Sequence, residues 1–420
     1  MKGYVMLRYA LVASAFLLFS PAKAQNKEAA GPSYDKPIVI TGVRIADLRA
    51  RLEKCLARKC PPDQDVDAST ALAEEQFVEG DYWSARATLR AALSRNKRFA
   101  RDYPVPVSDL WRADSRVAAH IGSGTDYRSD TFEMIDALKA GLPSDDVRVL
   151  SARIEVGDMM ARFGEIDEAV GQYTQLARRA RDLKLYGLEG TARLRVVLLY
   201  TTLAQSDARQ FALYFGPAKK AARDIASDPT PQMKLFATVA NLLVERAGAK
   251  KGDDSAVDRM IAIMRAQQGG VGPPALLYQP PLQGFGGLYD GSIPPVVWTK
   301  INSNDLLGQW ADIGFWIRPD GTVRDVEVLR GGIGALTGVR SPNRRFDPVW
   351  TLPLVKQISG RRYTPPTIGA AGRDVLRVER YSFTAWLTST TNSLVPTSGP
   401  PRYEMIDLSI DPPPASTTGK

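Results

Sequence analysis

From Ala68 to Gln267 apolar side chains return every three or four residues, as in Met159, Phe163, Ile166, Val170, Tyr173 and Leu176, or in Val196, Leu199 and Leu203. That interval lines one face of an α-helix, so the stretch predicts a run of amphipathic helices. Beyond Trp310 the interval becomes two. Ala311, Ile313, Phe315 and Ile317 alternate with Asp312, Gly314 and Trp316, the pattern of a strand with one buried face. Arg318-Pro319-Asp320-Gly321 predicts a hairpin turn. Thr322 to Leu329 predicts its return strand, with a bulge where the parity breaks between Val323 and Val326. Asp347 suits an N-cap and Pro348 the first position of a short helix reaching about Ser359. A Gly-containing loop after Arg361-Arg362-Tyr363-Thr364-Pro365-Pro366 leads to a last strand near Val375 to Trp386. The predicted fold class is α+β, an all-α helical-hairpin domain followed by a small domain ordered strand, strand, helix, strand.

Proline sharpens the boundary. Of 29 prolines, 18 fall between Pro273 and Pro414 and six between Ala68 and Arg265. Helix interiors exclude proline, so the asymmetry separates a helical domain at 46–267 from a strand-and-loop domain at 300–388. The Gly/Pro-rich stretch 268–299 is expected to be a linker, and the Ser/Thr/Pro-rich 389–420 a disordered tail in which Ile406 to Ile410 docks locally.

The amino terminus indicates a compartment. Met1 to Arg8 is basic, Tyr9 to Ser20 is an apolar run of 12 residues, and Ala22-Lys23-Ala24 offers small residues for cleavage before Gln25. A bilayer span needs about 20 apolar residues, so 1–24 reads as a cleavable export signal and the expected location is the periplasm. The alternative is an uncleaved inner-membrane anchor. In an oxidising compartment Cys55 and Cys60, the only cysteines, are expected to form a disulfide at a helix end. Part of the formal charge of +9 belongs to the signal, whose three basic residues leave 52 basic against 46 acidic ones. That unclustered excess gives no reason to expect nucleic acid.

Candidate chemistry is sparse. His120 is the only histidine, so a His-cluster metal site is excluded, and any His-dependent nucleophile must run through it. It sits among Val117, Ala118, Ala119 and Ile121, which favours a packed or cap-forming role. Asp63, Asp65, Asp67 and Glu74 have the spacing of a calcium loop, but Ala68 stands where the turn needs glycine; these acids read as helix caps. No cofactor, metal or small-molecule substrate is expected.

Two resemblances follow from quoted residues. Ala71-Leu72-Ala73-Glu74-Glu75-Gln76-Phe77-Val78-Glu79-Gly80-Asp81-Tyr82-Trp83-Ser84-Ala85, continuing into Leu89, Ala92 and Leu93, resembles a tetratricopeptide repeat. A second copy begins at Gly164-Glu165-Ile166-Asp167-Glu168-Ala169, and a third hairpin turns around Ala204 to Ala208. The two glycines lie 84 residues apart, not a multiple of the usual 34, so an irregular array is expected. Farther on, the strand ending in Asp320-Gly321, the Val323/Val326/Val328 return strand, the Phe346-Asp347 helix start, the Tyr363-x-Pro365 corner and the Tyr381-Ser382-Phe383 strand together resemble the TonB C-terminal domain. That resemblance implies a three-stranded antiparallel sheet whose exposed edge takes up an extended peptide. The chain departs from it in Pro353, which is expected to interrupt the helix, and in the long Gly331 to Asn343 excursion.

Within 25–45, read as a flexible arm, Ile38-Val39-Ile40-Thr41-Gly42-Val43-Arg44 is similar to the TonB box of outer-membrane receptors; it also reads as an ordinary short strand capping the helices. Ile38, Val39, Ile40 and Thr41 in the arm, with Arg361, Arg362 and Tyr363 on the sheet domain, are therefore the expected strand-addition residues. The expected function is a non-enzymatic, protein-binding periplasmic adaptor associated with outer-membrane transport. Its expected partners are cell-envelope proteins, such as a TonB-dependent receptor or its transducer. The alternatives are an anchored TonB-type transducer and an envelope-polymer hydrolase using Asp312, Asp320 and Asp325.

Overall fold

The computed structural model describes residues 44–205, 208–249, 253, 255–266, 274, 276–280, 306–334, 345–364, 374–389 and 396–409. Its helices are α1 (Ile45–Ala57), α2 (Pro62–Val78), α3 (Tyr82–Asn96), α4 (Pro104–His120), α5 (Gly124–Gly141), α6 (Val147–Arg162), α7 (Ile166–Asp182), α8 (Tyr186–Ala204), α9 (Ala208–Ala226), α10 (Lys234–Gly248) and α11 (Ser255–Ala266). Each packs on the next, as stacked antiparallel hairpins of tetratricopeptide-like form. Helix starts follow local chemistry: Pro62 and Pro104 occupy first turns where no amide partner is needed, and Asp81 and Asp146 accept amides of Ser84 and Arg148. The fully buried Ala85 and Ala169 allow close helix approach; Tyr173, Leu199 and Leu203 share one core, and Leu176 enters the adjacent one with Leu150 and Leu188.

The array is regular, which corrects the expectation drawn from a 34-residue period. Gly80, Gly122 and Gly164 close the α2–α3, α4–α5 and α6–α7 turns at φ +83°, +76° and +78°, and successive turns are 42 residues apart. One more interval reaches position 206, between α8 and α9. The 84-residue gap is thus two repeats. The intermediate turn, Ile121-Gly122-Ser123-Gly124, lacks the acidic residue that marks the other two.

Among the described residues, an antiparallel sheet runs in the order β3 (Val323–Ile333), β2 (Gln309–Ile317), β5 (Val375–Ser389), β6 (Pro396–Asp407). Asp320 shapes the β2–β3 turn, its carboxylate accepting from the Thr322 amide at 2.8 Å and hydroxyl at 2.6 Å. The bulge in β3 is present, with Asp325 at φ +51°. The short helix α12 (Leu352–Ser359) follows a 3-10 turn at Pro348–Thr351, where Asp347 accepts the Val349 amide. Pro353 lies in the first turn of α12 and does not interrupt it. Ala311, Ile313, Phe315 and Ile317 face a core closed by Trp350, Leu354, Ile358, Tyr381 and Phe383.

Two boundaries shift. The expected linker contains β1 (Leu276–Tyr278), which pairs with β4 (Arg362–Tyr363). The expected tail contains β6, a strand added to the expected three. Prolines at 396, 400 and 401 hid it, yet β6 is an edge strand, where a missing amide costs little. Tyr403 is buried against Trp350 and Phe383 and donates to the Trp350 carbonyl at 2.7 Å.

Because β6 is built into the core, a chain ending at Ser409 should melt like the full chain. One ending at Leu394 should lose roughly 3–5 kcal/mol, the cost of unburying Tyr403 and its strand neighbours, measurable by urea denaturation.

Candidate functional site

The polar face of the sheet does not look into solvent. It lies across three successive hairpin turns of the array. At the α2–α3 turn, Arg380 of β5 is fully buried and donates to the carbonyls of Phe77 and Val78, the last of α2. Those carbonyls have no partner within the helix and carry the negative end of its dipole, so a guanidinium suits them. Asp312 of β2 accepts from Arg380 at 2.6 and 2.8 Å and from Arg330 of β3 at 2.7 Å. Trp310 stacks under Arg380, 3.9 Å from its ring centre, against Gly80, where a Cβ would come within 2.5 Å of the indole.

At the α4–α5 turn, His120 Nδ1 and the Ser382 hydroxyl share a hydrogen bond of 2.8 Å, and the Tyr82 hydroxyl meets the same oxygen at 2.9 Å. A Cβ on Gly122 would lie 2.3 Å from the Ala385 carbonyl, so glycine is required for the strand to pass. At the α6–α7 turn, Trp386 stacks with Tyr127 and Phe163 at 5.5 and 5.1 Å, and Arg162 donates to Glu404 of β6 at 2.6 Å.

Burial, reinforced by the charges of Arg380 and Arg162, pushes His120 down to about 3 from its ordinary 6.5. It is neutral throughout the physiological range. Tyr82 is pushed up to about 12 by burial. Neither titrates near neutrality, as a general base would.

The structure disperses the other candidates. Cys55 and Cys60 are joined by a disulfide across the α1–α2 turn, with Cα atoms 5.2 Å apart. Ile38, Val39, Ile40 and Thr41 lie outside the described residues. Arg361 and Tyr363 are buried, which corrects their assignment to an accessible peptide surface. Arg361 pairs with Glu379 at 2.7 Å and donates to the hydroxyls of Tyr363 and Tyr381 at 3.2 and 2.7 Å. Arg362 is half-buried and caps the carbonyls of Gly360 and Arg361. Asp65 is buried under Arg95, Asn96 and Ser69, which hold its carboxyl below the usual range against the upward push of burial. Asp312, expected on the strand surface, is instead buried in the seam; Asp325 pairs with Arg324. Among the described residues no group of three or more His, Cys, Asp or Glu could hold a metal ion.

A second polar cluster escaped the sequence reading. Asp114 and Asp130, both buried, meet Arg90 at 2.6 and 3.0 Å, while Arg86 pairs with Asp126 at 2.5 Å. Three carboxyls face two guanidiniums, so one proton neutralises the set. Burial, then the neighbouring Asp114, pushes Asp130 up to about 8. The signal was the spacing Arg86, Arg90 and Asp126, Asp130, two i,i+4 pairs on α3 and α5, the helices either side of α4 in the chain.

The described residues also expose strand edge and apolar side chains. The outer side of β5 is occupied by β6, while β3 ends the sheet and exposes Leu329 and Ile333. On α9, Leu213 and Phe211 face solvent, Leu213 being 60% exposed.

No protein-family model and no curated protein matches the chain. Among solved structures it is similar to BtubC (BKLC) from P. vanneervenii, with 16% identity and a TM-score of 0.39 over 55% of this chain and 93% of that one. It is also similar to kinesin light chain TPR-like repeats of Podosopora anserina, with 12% identity and a TM-score of 0.35 over 50% of this chain and 99% of that one. The hairpin architecture rests on the turns and packing described above.

Two pH dependences follow. Asp130 keeps its proton to about pH 8 in the fold but releases it near pH 4 when unfolded, so its contribution is full at low pH and is lost as pH rises. Thermal melts of Asp130→Asn should therefore gain on the parent between about pH 5 and pH 8. His120 has the opposite sign: its folded value is depressed, so stability is lost as pH falls below 6.5. His120→Gln should lack this loss, which amounts to roughly 1.4 kcal/mol per pH unit between about pH 6 and pH 4 and is read from denaturation curves.

Proposed function

We propose that the chain is an exported, non-enzymatic adaptor of the bacterial envelope, binding protein partners through its helical array while a TonB-like sheet is fixed along one edge. The observation that carries this reading is the seam. By covering the hairpin turns, the sheet leaves the array's helical flanks open, and α9 presents Phe211 and Leu213 to solvent there. Stacked hairpins offer extended surfaces for peptides and partner proteins. The polar groups that could have done chemistry are engaged in internal contacts: His120 with Ser382, Asp312 with two arginines, Glu379 with Arg361. Export is supported by the basic, apolar and small-residue order of 1–24 and by the Cys55–Cys60 disulfide.

The β2, β3, α12, β5 order supports the TonB-like reading, and an outer-membrane receptor or its transducer is the proposed kind of partner. The edge of β5 is filled by the chain's own β6, so strand addition would fall to β3. A force-transducing role would require 1–24 to stay as an anchor; Gln25 as the mature amino terminus would remove it.

A photo-crosslinking residue in place of Leu213 should give adducts with envelope proteins in intact cells, and Phe211→Asp beside it should reduce their yield about tenfold, the effect of placing a charge in an apolar contact. Adducts unchanged by Phe211→Asp, or none with envelope proteins, would refute the adaptor reading.

A further inference from the structure

The excess of basic over acidic residues is small for the chain, but the fold gathers it. Arg44 to Lys59 hold six basic residues against Asp47 and Glu53, four of the excess of six counted over 25–420, which corrects the reading of that excess as unclustered. These residues form α1 and the turn after it. α1 packs on α2 and buries Leu48 and Cys55, so most of its surface is open. Arg51, Lys54, Arg58 and Lys59 are all exposed there.

The fold sets a second basic turn beside this one. Asp65, in the first turn of α2, accepts from Arg95 and Asn96 at the end of α3 at 2.8 and 2.7 Å, so the α1–α2 and α3–α4 turns are neighbours. The α3–α4 turn adds Lys97, Arg98 and Arg101, which are also exposed. Both turns lie on the edge of the array opposite the seam, about 25 Å away along α2. Among the described residues none of these seven cations is in an ion pair; Arg58 meets the neutral Gln64 at 3.3 Å. The acids at this end, Glu53, Asp63, Asp67 and Asp102, are exposed and fewer. Farther along the same edge, where Gly141 packs on the Arg101 carbonyl, the α5–α6 turn neutralises its cations. Arg148 pairs with Asp146 at 2.7 Å, and Arg179 with Asp145.

The unpaired charge is combined with apolar surface. Leu56 is 37% exposed between Lys54 and Arg58, and the Arg98 guanidinium covers the half-buried Phe99 at 4.7 Å. Long cationic side chains around an accessible apolar one are the pattern of a surface that rests among lipid headgroups. The shape agrees, because a row of helix ends suits a broad partner surface, whereas a peptide needs a groove or a strand edge. The apolar run Tyr9 to Ser20 also brings the chain to a bilayer, and α1 is the first described helix after it.

We infer that the α1–α2 and α3–α4 turns form a binding site for the anionic phospholipids of a bilayer. Arg58, Lys59, Lys97 and Arg98 meet the phosphate groups, and Leu56 enters the headgroup layer. The Cys55–Cys60 disulfide holds the first of the two turns in shape. Docked this way, the array holds its sheet about 25 Å from the lipid surface, the length of α2. The site does not depend on the adaptor reading, which uses α9.

The test floats the purified mature protein with vesicles of phosphatidylethanolamine containing about one third phosphatidylglycerol. The protein should rise with them, stay behind with phosphatidylcholine vesicles, and be released by about 0.5 M salt, which screens surface charge. Arg58→Gln and Lys97→Gln, one from each turn, should each lower the partition about fivefold, equivalent to about 1 kcal/mol per cation. Leu56→Ser should lower it severalfold, and all three should leave the thermal melt in place. Arg148→Gln, at the turn whose cations are paired, serves as control and should change the partition less than about twofold. Equal binding to phosphatidylcholine, indifference to both Arg58→Gln and Lys97→Gln, or an equal loss in Arg148→Gln would each overturn the inference. Retention on soluble polyglutamate without flotation would overturn it in favour of an acidic protein. Adducts from Leu213 are read separately, so either reading can fail alone.

Discussion

The structure depends on how closely the backbone of β5 passes the ends of the hairpins. Gly122 lets the strand through, since a Cβ there would lie 2.3 Å from the Ala385 carbonyl, and Gly80 leaves the room that Trp310 of β2 fills; both stand in the left-handed region. Once the sheet is that near, the carbonyls ending α2 would be cut off from water. Arg380 resolves this by satisfying two of them while Asp312 balances its charge. A buried ion pair alone is a doubtful source of stability, because desolvation offsets the attraction. This one is favoured because its guanidinium also donates to the Phe77 and Val78 carbonyls at the negative end of α2, and because Trp310 packs on its face.

The same seam explains where the polar residues that attract attention in the sequence find their partners. The lone histidine ends α4 and is wrapped by Phe77 and Tyr82, with Ser382 from the sheet as its polar contact. Burial and nearby arginines keep it neutral, so its role is to hold a hydrogen bond where a cation would be expelled. Arg361, a surface residue by composition, instead anchors a buried cluster with Glu379, Tyr363 and Tyr381. In both places a long-range contact, unknowable from sequence neighbours, decides whether a polar side chain is accessible.

The local patterns were legible wherever local physics dominates. Helical spacing in α6 to α8, the alternation of β2, the Asp320-Gly321 turn and the Asp347-Pro348 helix start are all in place. What was missed depends on partners far along the chain. β6 is a strand because Tyr403 reaches Trp350 and Arg162 reaches Glu404, contacts that outweigh its prolines. Asp312 resembled a surface acid because alternation identifies two faces of a sheet and cannot show that both are covered. The 42-residue repeat is hidden for a different reason: the middle turn has Ser123 after Gly122 where the other two have Asp81 and Glu165, so only the turns at Gly80 and Gly164 look alike in sequence.

That regular repeat also accounts for the pairing of an array with a sheet. Equal hairpins present their turns in a row, and a strand is the element that can follow a row, offering a side chain to the same face at every second residue. Arg380, Ser382, Thr384 and Trp386 lie in that register, and their contacts run from the first hairpin turn toward the third. A helix laid across the same turns would rotate its side chains away after each few residues. The second hairpin is adapted to its guest: Gly124 stands where the first hairpin has Tyr82 and the third has Ile166, and the space it leaves is taken by Trp386. The two modules are therefore fitted to each other residue by residue, and the sheet functions in this chain as a spine for the array's first three hairpins.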